Sequence, residues 1–264
     1  MLRNPEVEVE KMMAWTRELF LGKGAEKLTI PEDILKFGFE LMSKNFEKAE
    51  NRSIKNMILR KILHTKEVVE AGFEIMENEN GVDWNPYMVG AVTFAHDFGR
   101  FPQAHLGSYS DIKTGFDHAE AGAEFVLKGS FPESEKRGLD IQGLAEAVRA
   151  HSQLEYNGND IYGMLIRDAD KTGLLNYFHY HIKEYEVFEG KVSPGAVKAV
   201  LNGKLVLKLD IRSKIDVFLT WLSWQYDLNF PATKKLFEAS GVKQYIFDEI
   251  KKRDETVWEK VREL

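Results

Sequence analysis

The sequence predicts an all-α protein of one domain, and three observations lead to that prediction. Apolar residues recur at three-to-four spacing along nearly the whole chain, as expected for helices that bury one face. Residues that favour helix starts precede several of these stretches. No internal repeat or linker separates one part of the chain from another. We therefore expect a single all-α domain over residues 1–264, a helical bundle with extra helices at both ends.

The predicted helices follow in order from their periodicity and their ends. Pro31 suits a first helical turn, and Ser53 can cap a long helix. Asn85 and Pro86 form a cap followed by a first-turn proline, and Gly99 stands where a left-handed residue commonly ends a helix. The expected ranges are about 5–21, 31–50, 53–78, 86–95, 117–128, 139–152 and 160–181, with further helices towards the C-terminus.

Three segments depart from this helical pattern or add to it. Residues 101–116 are rich in Gly, Ser, Tyr and Asp, which predicts a functional or mobile loop. The weak alternation of residues 204–209 predicts a short strand. The aromatic cluster of Trp221, Trp224 and Tyr226 predicts core packing, with closure of a site or a homodimer contact as alternatives.

The composition restricts the function classes. Apolar residues make up 44% of the chain and aromatic residues 12%, enough for a packed core. The 36 basic and 42 acidic residues are mixed along the chain and leave a net charge of −6, which argues against a nucleic-acid or anionic-membrane surface. The chain has no cysteine, so any metal site must use His, Asp and Glu.

Two further features bear on location. No run approaches the roughly 18 apolar residues that a membrane span needs. The first residues, MLRNPEVEVEKMMAW, are too acidic for a signal or transit peptide. We therefore expect a cytoplasmic, soluble protein.

The most informative residues are His96 and Asp97, which follow the apolar stretch 87–95. That stretch has almost no polar face, so it predicts a helix buried on all sides. Ionisable groups at the end of such a helix are costly unless they are paired, hydrogen-bonded or bound to a metal. An imidazole and a carboxylate that converge on one cation would offset that cost.

Three other histidines lie on predicted helices. His64 belongs to an apolar stripe, for which an ordinary core histidine is the alternative. His118 follows Asp117 at a helix start, where an anion can bind but a simple capping turn is also expected. His151 belongs to a stripe with Val148 and points inward.

Two acids lie inside the helix that follows. Asp168 and Asp170 are about 200° apart on an α-helix, so they point to nearly opposite faces. Periodicity alone does not choose between them, and a structural salt bridge is the alternative for either. The order His, His-Asp, Asp, with each part on a different helix, predicts a divalent-metal site inside a bundle.

This order resembles the HD-domain superfamily of metal-dependent phosphohydrolases. The matching residues are His64, His96-Asp97 and Ala169-Asp170-Lys171. The similarity extends through the segments HDFGRFPQ, GSYSD and FDHAEAG. It implies an HD core over about residues 54–180, with helical extensions at 1–53 and 181–264.

The resemblance implies one divalent cation (Mn, Mg, Fe, Co, Ni or Zn), with a second ion left open. In the family the last ligand is the acid before the basic residue, which favours Asp170 over Asp168. The implied ligands are His64, His96, Asp97 and Asp170. Such an ion lowers the pKa of bound water and neutralises phosphoryl charge.

The resemblance also implies roles in substrate binding. Asp97 is expected to double as the acid–base group, and Arg100 to hold a phosphate through a forked contact. Lys171 could serve similarly; ordinary ion pairs are the alternative for both cations. Tyr109 and Asp111 are candidates for closing over the substrate. The expected partner is a small phosphorylated molecule, nucleotide-like, rather than nucleic acid or a membrane.

His118 and His151 have two interpretations under this resemblance. Some HD proteins use two histidines in this order to bind a second metal ion. In single-metal relatives, similarly placed histidines contact the phosphate. We favour phosphate contact for both residues and keep second-metal binding as the alternative.

Differences between this sequence and two branches of the family argue against the activities of those branches. The stringent-response hydrolases carry an acidic pair where this chain has residues 99–102, and the Gly-Tyr-Pro signature of the cyclic-dinucleotide phosphodiesterases is absent from the sequence. Hydrolysis of a phosphate ester of a nucleotide or other small molecule by metal-activated water is therefore expected. The alternatives are a di-iron HD-domain oxygenase, with His118 and His151 as second-metal ligands, and a non-catalytic metal-binding regulatory module.

Overall fold

The computed structural model describes residues 5–22, 29–176 and 190–264, and every regular element in these ranges is helical. The prediction of an all-α fold is confirmed. The chain divides into two compact units, Met1–Asp170 and Lys171–Leu264. The expected boundaries of a single domain and of an HD core stay predictions. Within the described ranges, no helix has the length and apolar character that crossing a membrane requires.

The first unit contains the helices that carry the predicted site. They are α1 (Pro5–Leu21), α2 (Glu32–Lys48), α3 (Arg52–Asn78), α4 (Pro86–Ala95), α5 (Arg100–Gln103), α6 (Asp111–Thr114), α7 (His118–Lys128), α8 (Pro132–Lys136), α9 (Ile141–Ala150) and α10 (Ile161–Asn176), in which the boundary between the units falls. A 3₁₀ turn, Ala104–Leu106, follows α5. Residues 177–181, the end of the last predicted helix of this region, lie outside the described residues.

The helix starts agree with the sequence at α4 and differ at α3. The side chain of Asn85 accepts from the backbone N–H groups of Tyr87 and Met88, and Pro86 occupies the first turn. All residues of α4 from Met88 to Ala95 are buried, as the apolar pattern predicted. Helix α3 is capped by Asn51 rather than Ser53, because Asn51 has the extended backbone from which its side chain reaches the N–H of Ile54.

Gly99 has a different role from the one predicted. Its φ is −68°, so it does not end α4 in the left-handed conformation. Instead, a Cβ atom at this position would lie 2.0 Å from the carbonyl oxygen of His118. Only glycine therefore allows the first residue of α7 to approach the turn after α4. Helix α7 also packs along α9, and Gly122 provides a second close approach.

The predicted loop at 101–116 is mostly short helical turns. Helix α5, the 3₁₀ turn and α6 occupy much of it. Gly107 and Gly115 follow two of these turns with φ of 70° and 67°, a conformation that glycine adopts without steric cost. The glycines that suggested a loop therefore separate short helices.

The second unit contains helices α11 to α15 around its own apolar core. Their bounds are α11 (Pro194–Leu201), α12 (Lys214–Ser223), α13 (Pro231–Ala239), α14 (Val242–Arg253) and α15 (Glu255–Val261), with 3₁₀ turns at Lys208–Asp210 and Trp224–Asp227. Trp221 is buried in this core. Trp224 packs against Trp221, and the hydroxyl of Tyr226 donates to the carbonyl of Val200. A homodimer contact through this cluster stays a prediction.

The predicted strand at 204–209 is wrong. Residues 204–207 have no regular structure and lead into the 3₁₀ turn at 208–210. Only Val206 is buried, whereas Leu207 and Leu209 are exposed. The weak alternation therefore reflects one anchoring side chain rather than a sheet face, and no strand lies beside it among the described residues.

Candidate metal centre

Six His and Asp side chains from five helical regions meet in the first unit. They are His64 in α3, His96 and Asp97 in the turn after α4, His118 at the start of α7, His151 just after α9 and Asp170 in α10. Five of them are buried; the side chain of Asp170 is 34% exposed. The structure therefore brings the four implied ligands together with the two further histidines.

The first of two groups with metal-ligand spacing consists of His64, His96 and Asp170. Nε2 of His64 lies 2.9 Å from Oδ1 of Asp170, and Nε2 of His96 lies 3.9 Å from the same oxygen. Nε2 of His96 is buried and has no hydrogen-bond partner among the described residues. A metal ion bound to this nitrogen would satisfy it.

The second group consists of Asp97, His118 and His151. The Nε2 atoms of the two histidines are 3.1 Å apart. Oδ1 of Asp97 lies 3.9 Å from Nε2 of His118 and 3.8 Å from Nε2 of His151. All three side chains are buried, so this group lies deeper than Asp170.

Asp97 connects the two groups through its two carboxylate oxygens. Oδ1 faces His118 and His151, while Oδ2 lies 3.3 Å from Nε2 of His96 and 3.8 Å from Nε2 of His64. One carboxylate thus faces both groups of candidate ligands. The nitrogen and oxygen donors suit Mn, Fe, Co, Ni or Zn.

Hydrogen bonds at Nδ1 aim three of the imidazole rings. Nδ1 of His96 lies 2.7 Å from the carbonyl oxygen of Thr93, and Nδ1 of His151 lies 2.5 Å from that of Val148. Nδ1 of His118 lies 2.8 Å from a carboxylate oxygen. Because these oxygens only accept, each Nδ1 carries a hydrogen, and a ring that carries no second hydrogen presents the Nε2 lone pair to the centre.

This arrangement has a consequence for His118 and His151. Two Nε2 lone pairs 3.1 Å apart repel each other unless a proton or a cation lies between them. Burial, with a contribution from the charge of Arg100, lowers the pKa of His118 to about 4, although its hydrogen bond to Asp111 acts in the opposite direction. A neutral His118 near pH 7 therefore favours a cation at this position.

The carboxylates of the centre stay ionised. Burial would raise the pKa of Asp97, but the neighbouring charge of Lys61, together with the adjacent histidines, outweighs it and holds that pKa well below the usual range. Burial would also raise the pKa of Asp170, but the hydrogen bond with His64 outweighs burial and lowers that pKa overall. Ionised carboxylates are the form that binds metal ions.

Lys61 belongs to the site, and the sequence analysis did not identify it. Its Nζ atom lies 2.7 Å from Oδ2 of Asp97 and 5.5 Å from the centroid of the Tyr109 ring. Its position three residues before His64 on α3 places both side chains on one face of the helix. That spacing is the signal in the sequence that could have identified it.

Arg100 lies at the edge of the centre and is tied to the segment after α5. Its Nη1 atom donates to the carbonyl oxygen of Tyr109 and to the side chains of Gln103 and Asp111. Its Nε atom lies 3.4 Å from Oδ1 of Asp97. The predicted phosphate-binding residue therefore also holds Tyr109 and Asp111 in place.

A side chain of α10 holds the turn that carries His151. Arg167, which is buried, donates through Nη1 to the carbonyl oxygens of Ala150 and Gln153 at 3.1 and 2.5 Å. These carbonyls lie on either side of His151, so the arginine holds the end of α9 against α10.

Two candidates from the sequence lie outside both ligand groups. Asp168 is buried, but the groups in the described part of the chain include Asp170 and not Asp168. Lys171 belongs to the second unit, where its Nζ lies 2.7 Å from Oδ2 of Asp227. The structure thus gives Lys171 an ion pair, the ordinary alternative to a phosphate contact.

Comparisons of the chain with models of protein families, with curated proteins and with solved structures found no match. The described residues form a helical protein with a buried His and Asp cluster that could hold a metal ion.

Proposed function

We propose that the protein is a metal-dependent phosphohydrolase of the HD-domain type, and that it binds two ions. The observation that carries this proposal is Asp97, whose two oxygens face two separate groups of nitrogen and oxygen ligands. One ion would be held by the four residues that the family resemblance implies. The other would be held by Asp97, His118 and His151.

Binding of a second ion suits His118 and His151 better than the phosphate contacts that the sequence analysis favoured. Both residues are buried, with 1% and 8% of their surface exposed, which limits direct contact with a substrate. Their facing nitrogens instead form a pair of ligands. When bound, such ions lower the pKa of water and neutralise charge on a phosphoryl group.

The chain's own cations would hold the anionic substrate at the edge of the centre. Lys61 and Arg100 lie on the Tyr109 ring, 5.5 and 5.7 Å from its centroid. Both are partly exposed next to Asp97. Their positive charge fits a phosphate monoester or a nucleotide.

Asp97 fits the role of ligand better than that of acid–base group. Its pKa lies well below the ordinary range, so the carboxylate is a weak base and carries no proton to donate near pH 7. We therefore assign Asp97 to holding the ions, and the positioning of the substrate to Lys61 and Arg100.

Phosphate release from nucleotides and sugar phosphates tests the proposal, with Mn, Mg, Fe, Co, Ni or Zn added to the metal-stripped protein. We expect activity with at least one metal, and a loss of about a hundred-fold or more in His64→Ala and Asp170→Ala. His105→Ala is the matched control, because His105 lies outside both ligand groups. Equal activity in all three variants would contradict a shared centre.

The six-ligand arrangement also supports the second candidate, a di-iron HD-domain oxygenase. The bridging position of Asp97 and the buried pair of histidines favour it over a non-catalytic module. Tightly bound paired iron, an iron electronic spectrum and oxygen uptake without phosphate release would replace the hydrolase by this oxygenase.

A further inference from the structure

We propose that Asp111 is a positioning residue that fixes His118 as a ligand of the second metal ion, and so determines whether that ion binds. The inference rests on the two-ion centre proposed above. It assigns Asp111 to the support of the centre, where the sequence suggested closure over a substrate.

Asp111 contacts three side chains through its two oxygens. Oδ2 lies 2.8 Å from Nδ1 of His118. Oδ1 accepts from Nη1 of Arg100 at 3.0 Å and from Nε2 of Gln103 at 2.8 Å. Gln103 is completely buried, and its amide also reaches Thr114 and the carbonyl of Phe116. The carboxylate is therefore held in one orientation, with a fixed oxygen for each neighbour.

These contacts select one tautomer of His118. A carboxylate only accepts hydrogen bonds, so Nδ1 of His118 must carry the ring hydrogen. Nε2 is then left with its lone pair, and it points at Asp97 and His151. Carboxylates hydrogen-bonded to metal-binding histidines orient the ring and raise its basicity in this way.

The isosteric change Asp111→Asn should reverse this selection. Arg100 and Gln103 both donate to Oδ1, so the amide oxygen of asparagine must face them. The amide NH₂ group then faces Nδ1 of His118 and requires it to accept. The ring hydrogen moves to Nε2, where it blocks metal binding.

The change Asp111→Ala removes the selection without reversing it. Water can then accept from Nδ1, and His118 keeps access to the tautomer that binds a metal ion. We expect a weaker second site, by roughly ten- to a hundred-fold in affinity. A purely structural role would give the opposite order, because asparagine preserves the shape of aspartate and alanine does not.

The experiment measures Mn²⁺ binding to metal-stripped protein by calorimetric titration, repeated with Zn²⁺, together with ions per chain after gel filtration. Wild-type protein should bind two ions, Asp111→Ala two with a weaker second ion, and Asp111→Asn one. Asp117→Asn is the matched control, since Asp117 caps α7 through Ala119 and Glu120, and asparagine also caps. It should bind two ions.

The outcomes separate this inference from the proposed function. Two ions in Asp111→Asn, or weaker second-ion binding in Asp111→Ala than in Asp111→Asn, would overturn the role of Asp111, as would a single ion in the wild type. Two ions in the wild type and one in Asp111→Asn would support it, even if no phosphate ester were hydrolysed. In that case the hydrolase proposal alone would fail.

Discussion

The two halves of the metal centre are built in different ways. The half with His64, His96 and Asp170 uses ligands from the bodies of α3 and α10 and from the end of α4, and its carboxylate is 34% exposed. The half with His118 and His151 uses residues at helix ends and is buried. The first half is therefore the one that solvent reaches, while the second depends on turns and short segments that hold the helix ends in place.

The change Asp97→Asn should have the largest effect, because it removes the group that both halves share. An amide cannot offer an anionic oxygen to either ion, and Lys61 loses its partner. We expect both ions to be lost and turnover to fall by about a thousand-fold, since several kcal/mol of charge stabilisation disappear. Ions per chain and initial rates check this. Retention of one tightly bound ion would show that the halves are independent.

The change Gly99→Ala should act on the second half alone. The new Cβ atom would meet the carbonyl oxygen of His118 at 2.0 Å, so the start of α7 must move. We expect a loss of about 1–3 kcal/mol in the free energy of unfolding and weaker binding of the second ion only. Urea unfolding and metal titration measure the two effects.

Gly122→Ala is the matched comparison for that prediction. Its new Cβ atom would lie 3.2 Å from a methyl group of Val148, which is crowded but adjustable. Alanine also favours the helix by up to about 1 kcal/mol, which offsets the crowding. If Gly122→Ala weakened the second ion as much as Gly99→Ala, the close approach at Gly99 would not be the cause.

The smallest effect is expected from Asp33→Ala, which changes the scaffold but neither half of the centre. The carboxylate of Asp33 in α2 accepts from the backbone N–H groups of Glu133 and Ser134 at the start of α8, and from the hydroxyl of Ser134. Its loss should cost about 1–2 kcal/mol, with both ions still bound.

The cost of Asp33→Ala should depend on pH. Burial would raise the pKa of Asp33, but the hydrogen bonds from Ser134 and its neighbours lower it overall. The pKa of Asp33 in the folded state lies below its unfolded value near 3.8. Asp33 therefore contributes fully to the free energy of unfolding above about pH 3.8, and this contribution is lost as the pH falls through the lower, folded-state pKa. Urea unfolding at pH 7 and pH 3 should show the wild type and the variant converging in acid.

The helices and much of the metal centre could be predicted from the sequence. Periodicity marks buried faces, so α4 and its buried length followed from its apolar residues. Four residues of the centre could be identified from the sequence, because their order along the chain resembles a known pattern: His64, His96, Asp97 and Asp170. The structure brings them together.

What the sequence did not reveal depends on contacts between distant segments. Gly99 was assigned to a helix end, because the approach of His118 is invisible until α7 is placed. Asp111 looked like part of a loop, since its hydrogen bond to His118 requires the turns between them to fold. The strand at 204–209 failed because alternation does not show whether a neighbouring strand exists.

Helix α10 gives the centre a mechanical property. Asp170 contributes a ligand to one half, and Arg167, one turn earlier, grips the carbonyls on either side of His151 in the other half. A small shift of this helix along its axis would displace both ligands in the same direction. Asp170 and the turn that carries His151 would therefore move together, because one helix carries the first and holds the second by hydrogen bonds.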